Sequence, residues 1–321
     1  MGLIVISQSW SSLGQMLASC LKADLVKITI DQFADLEVTV SFQHLEKVKN
    51  NNILLVYQLF APKISSLYRI ERSSINDQLM ALLQAIDFLK SAGASSIQLL
   101  VPYLPYSRQD LAQDKKLPGA VYMLGKCLKA LGVTAVFACD LHEPGIVESF
   151  GLPLHNIDLA QFWAQTISTN FIRQNNPESY CIVSPDNGGR ERAQKIAALC
   201  GISFAYMQKV RVDSDMPQVD ALVGEVRGKQ VILVDDIVDT ARTAIGACDL
   251  LIKNGANRVF GCFSHAVLSA GAAQRLSESR FEKVLVTNTV KINSTQSFDK
   301  LGTVFIADYI CQRISTGLVK S

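Results

Sequence analysis

The sequence of 321 residues has few of the features that mark membrane, disordered or nucleic-acid-binding proteins. It contains no run of 18 apolar residues, so no membrane-spanning helix is expected, and its first ten residues lack the basic segment of a secretion signal. Low-complexity tracts are absent. A formal net charge of +2 gives no electrostatic reason to expect nucleic acid as the main partner. With 49% hydrophobic and 19% charged residues, the composition is that of a globular protein.

Cysteine pairs of the C-x-x-C type are also absent, although the chain has eight cysteines. Most of these cysteines lie in apolar runs such as TAVFACD and YCIVSPD, a pattern typical of buried reduced thiols. We therefore expect free thiols and a cytoplasmic protein.

Apolar, strand-like runs alternate with amphipathic helical patterns along the whole chain. Repeated strand and helix units predict parallel sheets with right-handed crossovers. The length suggests two α/β domains, which we place at residues 1–150 and 151–321. Each is expected to be a mainly parallel sheet flanked by helices.

Two polar stretches interrupt this alternation. The segment QKVRVDSDMPQVDALVGEVRGK, at 208–229, contains a proline and is long for a connection, which predicts a mobile functional loop with room for a short hairpin. The segment KISSLYRIERSS, at 63–74, is basic and predicts a surface loop.

The stretch VILVDDIVDTART, at 231–243, carries the strongest functional pattern. Its first four residues read as a buried strand of a parallel sheet, and ligands bind at the carboxyl edge of such sheets. Asp235 and Asp236 suit a sugar diol or a divalent cation, while backbone amides entering the next helix suit a phosphate. The alternative is a strand end followed by an Asp-rich helix cap.

This stretch resembles the phosphoribosyl diphosphate (PRPP) binding motif shared by type I phosphoribosyltransferases and ribose-phosphate pyrophosphokinases. In the family, glycine stands at the position of Arg242, where close backbone approach or a positive φ would favour it; we expect Arg242 to point away from an empty site. The resemblance implies that ribose 5-phosphate is bound by Arg211, Asp235, Asp236, Asp239, Thr240, Ala241, Arg242 and Thr243.

Further segments resemble ribose-phosphate pyrophosphokinases in family order: FADLE at 33–37, VPYLPYSRQD at 101–110, DLH at 140–142, SPDNGG at 184–189 and KVR at 209–211. The resemblance implies catalytic roles for Lys209 and Arg211. It implies a divalent cation, Mg²⁺, at Asp140, His142 and Asp186. It also implies ATP binding, partly from a neighbouring subunit of a homo-oligomer, by Phe33, Asp35, Glu37, Arg108 and Gln109.

Four of these five segments also have a structural interpretation without function. RQD could be a solvated turn, His142 a strand-end histidine, Asp186 the start of an Asx turn, and Lys209 with Arg211 a solvated basic pair.

The chain departs from the family pattern at five positions, namely Leu36, Gly145, Gly151, His155 and Arg242. The extent of the resemblance implies a two-domain enzyme that transfers the pyrophosphoryl group of Mg·ATP to the 1-hydroxyl of ribose 5-phosphate, giving PRPP and AMP. The departures keep open a non-catalytic regulatory relative that assembles with an active enzyme. A single-domain phosphoribosyltransferase would explain only 231–243.

Overall fold

The computed structural model describes residues 2–9, 11–59, 74–109, 119–172, 176–210 and 219–318. The chain divides into two compact units. The first comprises Met1–Ile157, Thr289–Lys291 and Phe305–Ser321, and the second Asp158–Asn288 and Ile292–Val304. Residues 305–321, which the sequence division assigned to the second half, therefore belong to the first unit, because the last helix packs on the first one.

In the described part of the first unit, seven strands form one sheet. They are β1 (Leu3–Gln8), β2 (Asp24–Gln32), β3 (Val38–Phe42), β4 (Asn52–Val56), β5 (Ser96–Leu100), β6 (Val133–Cys139) and β7 (Leu154–Ile157). The helices of the described chain that belong to this unit are α1 (Ser12–Cys20), α2 (Ile75–Ser91), α3 (Ala120–Ala130), α4 (Ile146–Ser149) and, at the end of the chain, α9 (Ala307–Leu318). The strand order is β3-β2-β1-β4-β5-β6-β7, with β3 antiparallel and the other pairings parallel.

The second unit is built in the same way. Its strands are β8 (Tyr180–Ser184), β9 (Ser203–Val210), β10 (Val219–Val223), β11 (Gln230–Val238), β12 (Arg258–Ala266), β13 (Lys283–Thr287) and β14 (Leu301–Val304). Its described helices are α5 (Ala160–Asn170), α6 (Arg190–Cys200), α7 (Arg242–Lys253) and α8 (Ala272–Glu278). The order is β10-β9-β8-β11-β12-β13-β14, and only the β9–β10 pair is antiparallel.

The two sheets share one topology, and the expected α/β architecture of two similar, mainly parallel sheets is confirmed. In each sheet the strand order reverses direction once, between β1 and β4 and between β8 and β11. Open α/β sheets bind ligands at the carboxyl ends of the strands that flank this switch point. The topology therefore identifies one candidate crevice per unit.

In the first unit, hydrogen bonds among three polar residues link the strand ends at the switch point. The Gln8 amide donates to the Gln58 carbonyl at 3.0 Å, and the Gln58 backbone N–H donates to Gln8 Oε1 at 3.2 Å. The Ser11 hydroxyl donates to Gln58 Oε1 at 3.0 Å, and all three residues are buried. These hydrogen bonds join the end of β1 and the residues after it to the segment that follows β4.

The strand β11 lies at the centre of the second unit and is buried along its apolar part. Its residues Val231 to Val234 are all fully buried, as expected for a strand covered on both faces. The strand continues to Val238, so Asp235 and Asp236 lie near its carboxyl end and not after it. This extension fixes their backbone in the sheet.

The cysteines differ from the sequence expectation at two positions. Cys20, at the end of α1, and Cys311, in α9, form a disulfide with Cα atoms 6.5 Å apart. The prediction of reduced thiols is wrong for this pair, because residues 291 positions apart meet only when α9 packs on α1. The other six cysteines are free. Cytoplasmic placement stays a prediction.

None of the helices in the described ranges is long and apolar enough to cross a membrane.

Candidate active site

The loop between β8 and α6 brings an acid and a tight backbone turn to the switch point of the second unit. The Gly189 N–H donates to Asp186 Oδ1 at 2.9 Å, and the Ser184 hydroxyl donates to the Asp186 carbonyl at 2.8 Å. A Cβ on Gly189 would lie 2.8 Å from the Ser184 hydroxyl and 3.6 Å from Asp235 Oδ1, so the turn requires glycine. The Asp186 side chain thus accepts from the amide three residues on, and Gly189 brings the exposed Asp186 loop close to β11.

The two aspartates of β11 share a cation from α6. Arg192 Nη1 lies 3.5 Å from Asp236 Oδ1 and 3.9 Å from Asp235 Oδ1. The Asp236 side chain is only 4% exposed and the Asp235 side chain 18%. Arg192 thus supplies partial neutralisation for two carboxylates that are largely removed from water.

Burial raises the pKa of Asp235 well above its ordinary value, and the neighbouring charges of Asp236 and Asp186 raise it further, whereas Arg192 opposes the shift. Burial and the neighbouring acids outweigh Arg192, so the net effect is a raised pKa for Asp235. The cluster is therefore suited to accept hydrogen bonds from hydroxyls or to bind a cation.

The loop after β11 leads into α7 with an unusual backbone conformation. Ala241, the N-cap of α7, is left-handed with φ +63° and is buried. The Ala241 methyl group has no acceptor, so the N-cap side chain forms no hydrogen bond with the first amides of the 12-residue helix. The Asp-rich helix cap considered from the sequence is therefore wrong, and the helix start has the chemistry of an anion site.

The positive φ falls at Ala241 and not at Arg242. Arg242 is the first residue of α7 and is exposed. The replacement of glycine by arginine at position 242 therefore causes no left-handed strain. Asp239, Thr240 and Thr243 lie in the same loop and helix start, as the sequence predicted.

The neighbouring loop after β12 supports this segment. The Ser269 hydroxyl donates to Asp239 Oδ1, and the Leu268 N–H donates to the Val238 carbonyl at 3.1 Å. The Arg275 guanidinium donates to the Thr240 carbonyl through Nε at 3.0 Å and Nη2 at 2.8 Å. Because β11 and β12 are parallel neighbours, both loops emerge at the same edge.

The segment expected to contain a hairpin does form one. Strand β9 pairs with β10 in antiparallel register, with Lys209 opposite Asp220. Lys209 is the penultimate residue of β9, and its backbone is placed by this pairing. Arg211 lies outside the described residues, as does most of the basic segment 63–74.

In the first unit, the FADLE segment is the turn of the β2–β3 hairpin. The Phe33 N–H donates to the Glu37 carbonyl at 2.8 Å, and the Glu37 N–H donates to Asp35 Oδ1 at 3.1 Å. Phe33 is 57% exposed. Leu36 has φ +76°, a left-handed backbone conformation that favours glycine. The turn presents an uncovered aromatic ring and acids.

Arg108 and Gln109 lie in the exposed turn that follows β5. Asp140 follows β6, is buried with φ +46°, and its N–H donates to the Ile157 carbonyl at 3.0 Å. His142 is exposed two residues later. These residues share the carboxyl edge of adjacent strands in the first sheet.

Within the described ranges, no group of three or more His, Cys, Asp and Glu side chains is placed to hold a metal ion. Asp140 and His142 lie in the first unit and Asp186 in the second, so the predicted metal set stays a prediction. The carboxylates are oxygen donors that suit Mg²⁺, which commonly takes one or two protein carboxylates and completes its shell with water and substrate phosphates.

Three residues of the second unit were missed by sequence reasoning, namely Arg192, Ser269 and Arg275. Arg192 follows the SPDNGG segment, where two arginines and a glutamate near a helix start gave no sign of which side chain turns toward β11. Ser269 and Arg275 follow a different strand, β12. Only the pairing of β12 with β11 brings them to residues 239–241, the loop between β11 and α7 that we call the anion loop.

Comparison with known proteins agrees with this geometry. Residues 3–132 match the N-terminal domain of ribose phosphate pyrophosphokinase, and residues 193–317 match the phosphoribosyl synthetase-associated domain. A ribose-phosphate pyrophosphokinase of Bacillus cereus is 30% identical over 94% of this chain and 89% of its own length. One of Aquifex aeolicus is 31% identical over 97% of this chain and 94% of its own length.

The crystal structure of phosphoribosylpyrophosphate synthetase from Mycobacterium smegmatis superposes with a TM-score of 0.85 at 29% identity and covers 100% of both chains. The fold, the order of the motifs and these relatives lead to one conclusion: the chain belongs to the ribose-phosphate pyrophosphokinase family of enzymes.

Proposed function

We propose that this protein transfers the β,γ-pyrophosphoryl group of Mg·ATP to the 1-hydroxyl of ribose 5-phosphate, giving PRPP and AMP. In this reaction the hydroxyl oxygen bonds to the β-phosphorus and the bond from that phosphorus to the α–β bridging oxygen breaks. AMP leaves with the bridging oxygen, and the hydroxyl proton passes to water.

The single observation that carries the proposal is the switch point of the second unit. There, Asp235 and Asp236 lie at the carboxyl end of β11, beside a helix start whose N-cap, Ala241, offers no side-chain acceptor. Acids for vicinal hydroxyls next to backbone amides for a phosphate match a sugar phosphate, whereas a bare anion would not need the acids.

The remaining roles follow from position. Asp235, Asp236 and Asp239 accept hydrogen bonds from the ribose hydroxyls, while the segment from Thr240 to Thr243 holds the 5-phosphate. Lys209, in β9, and Arg211 neutralise charge that develops on the transferred group. Catalysis is then chiefly positioning and charge neutralisation.

Mg²⁺ would enter with ATP; in the first unit Asp140 and His142 would hold it, and in the second unit the Asp186 carboxylate would be a ligand. It would polarise the phosphate oxygens and offset their charge. On the ATP side, Arg108 offers a planar fork for phosphate and Gln109 an amide for the nucleoside. The exposed ring of Phe33, with Asp35 and Glu37, serves the adenine of ATP bound to a second copy of the chain.

The decisive experiment measures AMP release from Mg·ATP with and without ribose 5-phosphate. We expect release that depends on the sugar phosphate, is lost in Asp235→Asn, and is retained in Asp249→Asn, a matched change at an exposed residue of α7. Binding of ribose 5-phosphate without AMP formation would instead favour the regulatory relative, for which the left-handed Leu36 is the structural argument.

A further inference from the structure

The Arg275 side chain donates three hydrogen bonds to the backbone of the anion loop and of the loop after β12. Besides its two hydrogen bonds to the Thr240 carbonyl, at 3.0 and 2.8 Å, its Nη2 donates to the Ala270 carbonyl at 2.6 Å. One guanidinium therefore ties the loop after β11 to the loop after β12. The side chain is half-buried, which strengthens these charge-assisted bonds.

Holding the Thr240 carbonyl has a geometric consequence for the next amide. In a trans peptide the C=O and the following N–H point in opposite directions. Because the Thr240 carbonyl faces Arg275, the Ala241 N–H faces away from it, and its direction is fixed by the same contact. That amide is the first of those leading into α7.

The loop after β12 has a backbone conformation that is energetically costly for its non-glycine residues. Leu268, Ala270 and Gly271 have φ values of +49°, +48° and +76°. Non-glycine residues adopt such values only where surrounding contacts enforce them. Arg275 supplies one such contact at Ala270, and Ser269 supplies another through Asp239.

We propose that Arg275 is a positioning residue for ribose 5-phosphate. It orients the Thr240–Ala241 peptide so that the backbone amides at the start of α7 converge on the 5-phosphate, and it acts without touching the substrate. The proposal rests on the function proposed above, since it names a residue that prepares that same site.

The test compares Arg275→Met with Arg275→Lys and with the control Arg258→Met. Arg258 is exposed and opens β12 at the opposite end of the strand from the anion loop. Calorimetric titration with ribose 5-phosphate should give a Kd at least tenfold higher in Arg275→Met than in wild type, as expected for lost charge-assisted bonds. The lysine, which keeps the charge but not the fork, should recover only part of the loss, and Arg258→Met should bind like wild type.

Kinetics and hydrogen exchange separate positioning from a general loss of structure. The KM for ribose 5-phosphate should rise in Arg275→Met while the KM for ATP stays within twofold. Amide exchange should quicken in residues 240–245 and 266–272 but not elsewhere in the second unit. The reason is that the Leu268 N–H donates to the Val238 carbonyl at the end of β11 and the Ile245 N–H donates to the Ala241 carbonyl.

The outcomes are distinguishable. If wild type binds no ribose 5-phosphate, the proposed function fails, and hydrogen exchange alone still decides whether Arg275 holds the loop. If wild type binds but Arg275→Met binds equally well, the positioning role is wrong. If Arg275→Met does not fold, Arg275→Lys decides: unchanged affinity and exchange in that variant overturn the proposal.

Discussion

Arg192 Nη1 lies within 3.5 Å of Asp236 Oδ1 and 3.9 Å of Asp235 Oδ1, so one cation on α6 faces two carboxylates on β11. The charges of Asp236 and Asp186 raise the pKa of Asp235, and Arg192 offsets this only in part. Crowding of these carboxylates raises the free energy of the folded site, and a bound sugar or cation lowers it. Stability and function are therefore opposed at these residues.

Asp235→Asn should raise the melting temperature at pH 7 while abolishing activity. Burial and the charges of Asp236 and Asp186 raise the pKa of Asp235, so its favourable contribution to stability is complete only below about pH 4 and is lost as the pH rises through the raised value. Asparagine stays neutral and can still accept the Asp236 N–H, which wild type bonds at 2.9 Å.

The gain should therefore shrink as the pH is lowered toward 4. Melting curves between pH 4 and 8 test this, with Asp249→Asn as the control. A melting temperature for Asp235→Asn that lies below wild type at pH 7 would contradict the assigned cause of the pKa shift.

Leu36→Gly should be more stable than Leu36→Ala by about 1 kcal/mol, because glycine accepts a left-handed backbone that costs alanine roughly this much. Leu36 has φ +76° and is 56% exposed, so either change removes little packing. Denaturant unfolding of both variants measures the difference. Equal stabilities would mean that the turn relaxes when the side chain is shortened.

Lys209→Ala should lower kcat by roughly 10² or more, with a smaller change in the KM for ATP, because a cation that acts on developing charge contributes mainly in the transition state. Lys253→Ala, an exposed lysine in the last turn of α7, is the matched control. An unchanged kcat in Lys209→Ala would favour the alternative in which Lys209 belongs to a solvated basic pair without a catalytic role.

Reduction of the disulfide between Cys20 and Cys311 should lower the melting temperature of the first unit, since a cross-link of this kind contributes about 2–5 kcal/mol. Alkylation of the unfolded, unreduced protein should modify six of the eight cysteines, and all eight after reduction. Cys20→Ser should abolish the effect of reductant, and Cys127→Ser should not. Eight reactive thiols without reduction would exclude the bond.

Specific activity should fall on dilution, because Phe33 is proposed to serve the nucleotide of a second copy and a monomer would lack that wall of the site. Phe33→Ala should raise the KM for ATP, whereas Phe305→Ala, at a residue of equal exposure, should not: the two rings are 57% and 58% exposed. Light scattering that shows a fully active monomer would rule out the shared site.

The sequence alone determined the α/β class, the alternation of strands and helices, and the segments at the strand ends. Apolar runs such as Val231 to Val234 report burial directly, and the acids after them mark the edge where ligands bind. The hairpin at Lys209 was equally visible, because it depends on residues close together in the chain.

Only the tertiary structure decided how distant residues combine. The left-handed residue proved to be Ala241 and not Arg242, because φ at that point depends on where α7 starts. Arg275 reaches Thr240 across 35 positions, and Cys20 meets Cys311 across 291. Side-chain patterns encode local periodicity, whereas the pairing of strands and the docking of helices minimise the free energy of the whole unit, so contacts of this kind appear only once the chain has folded.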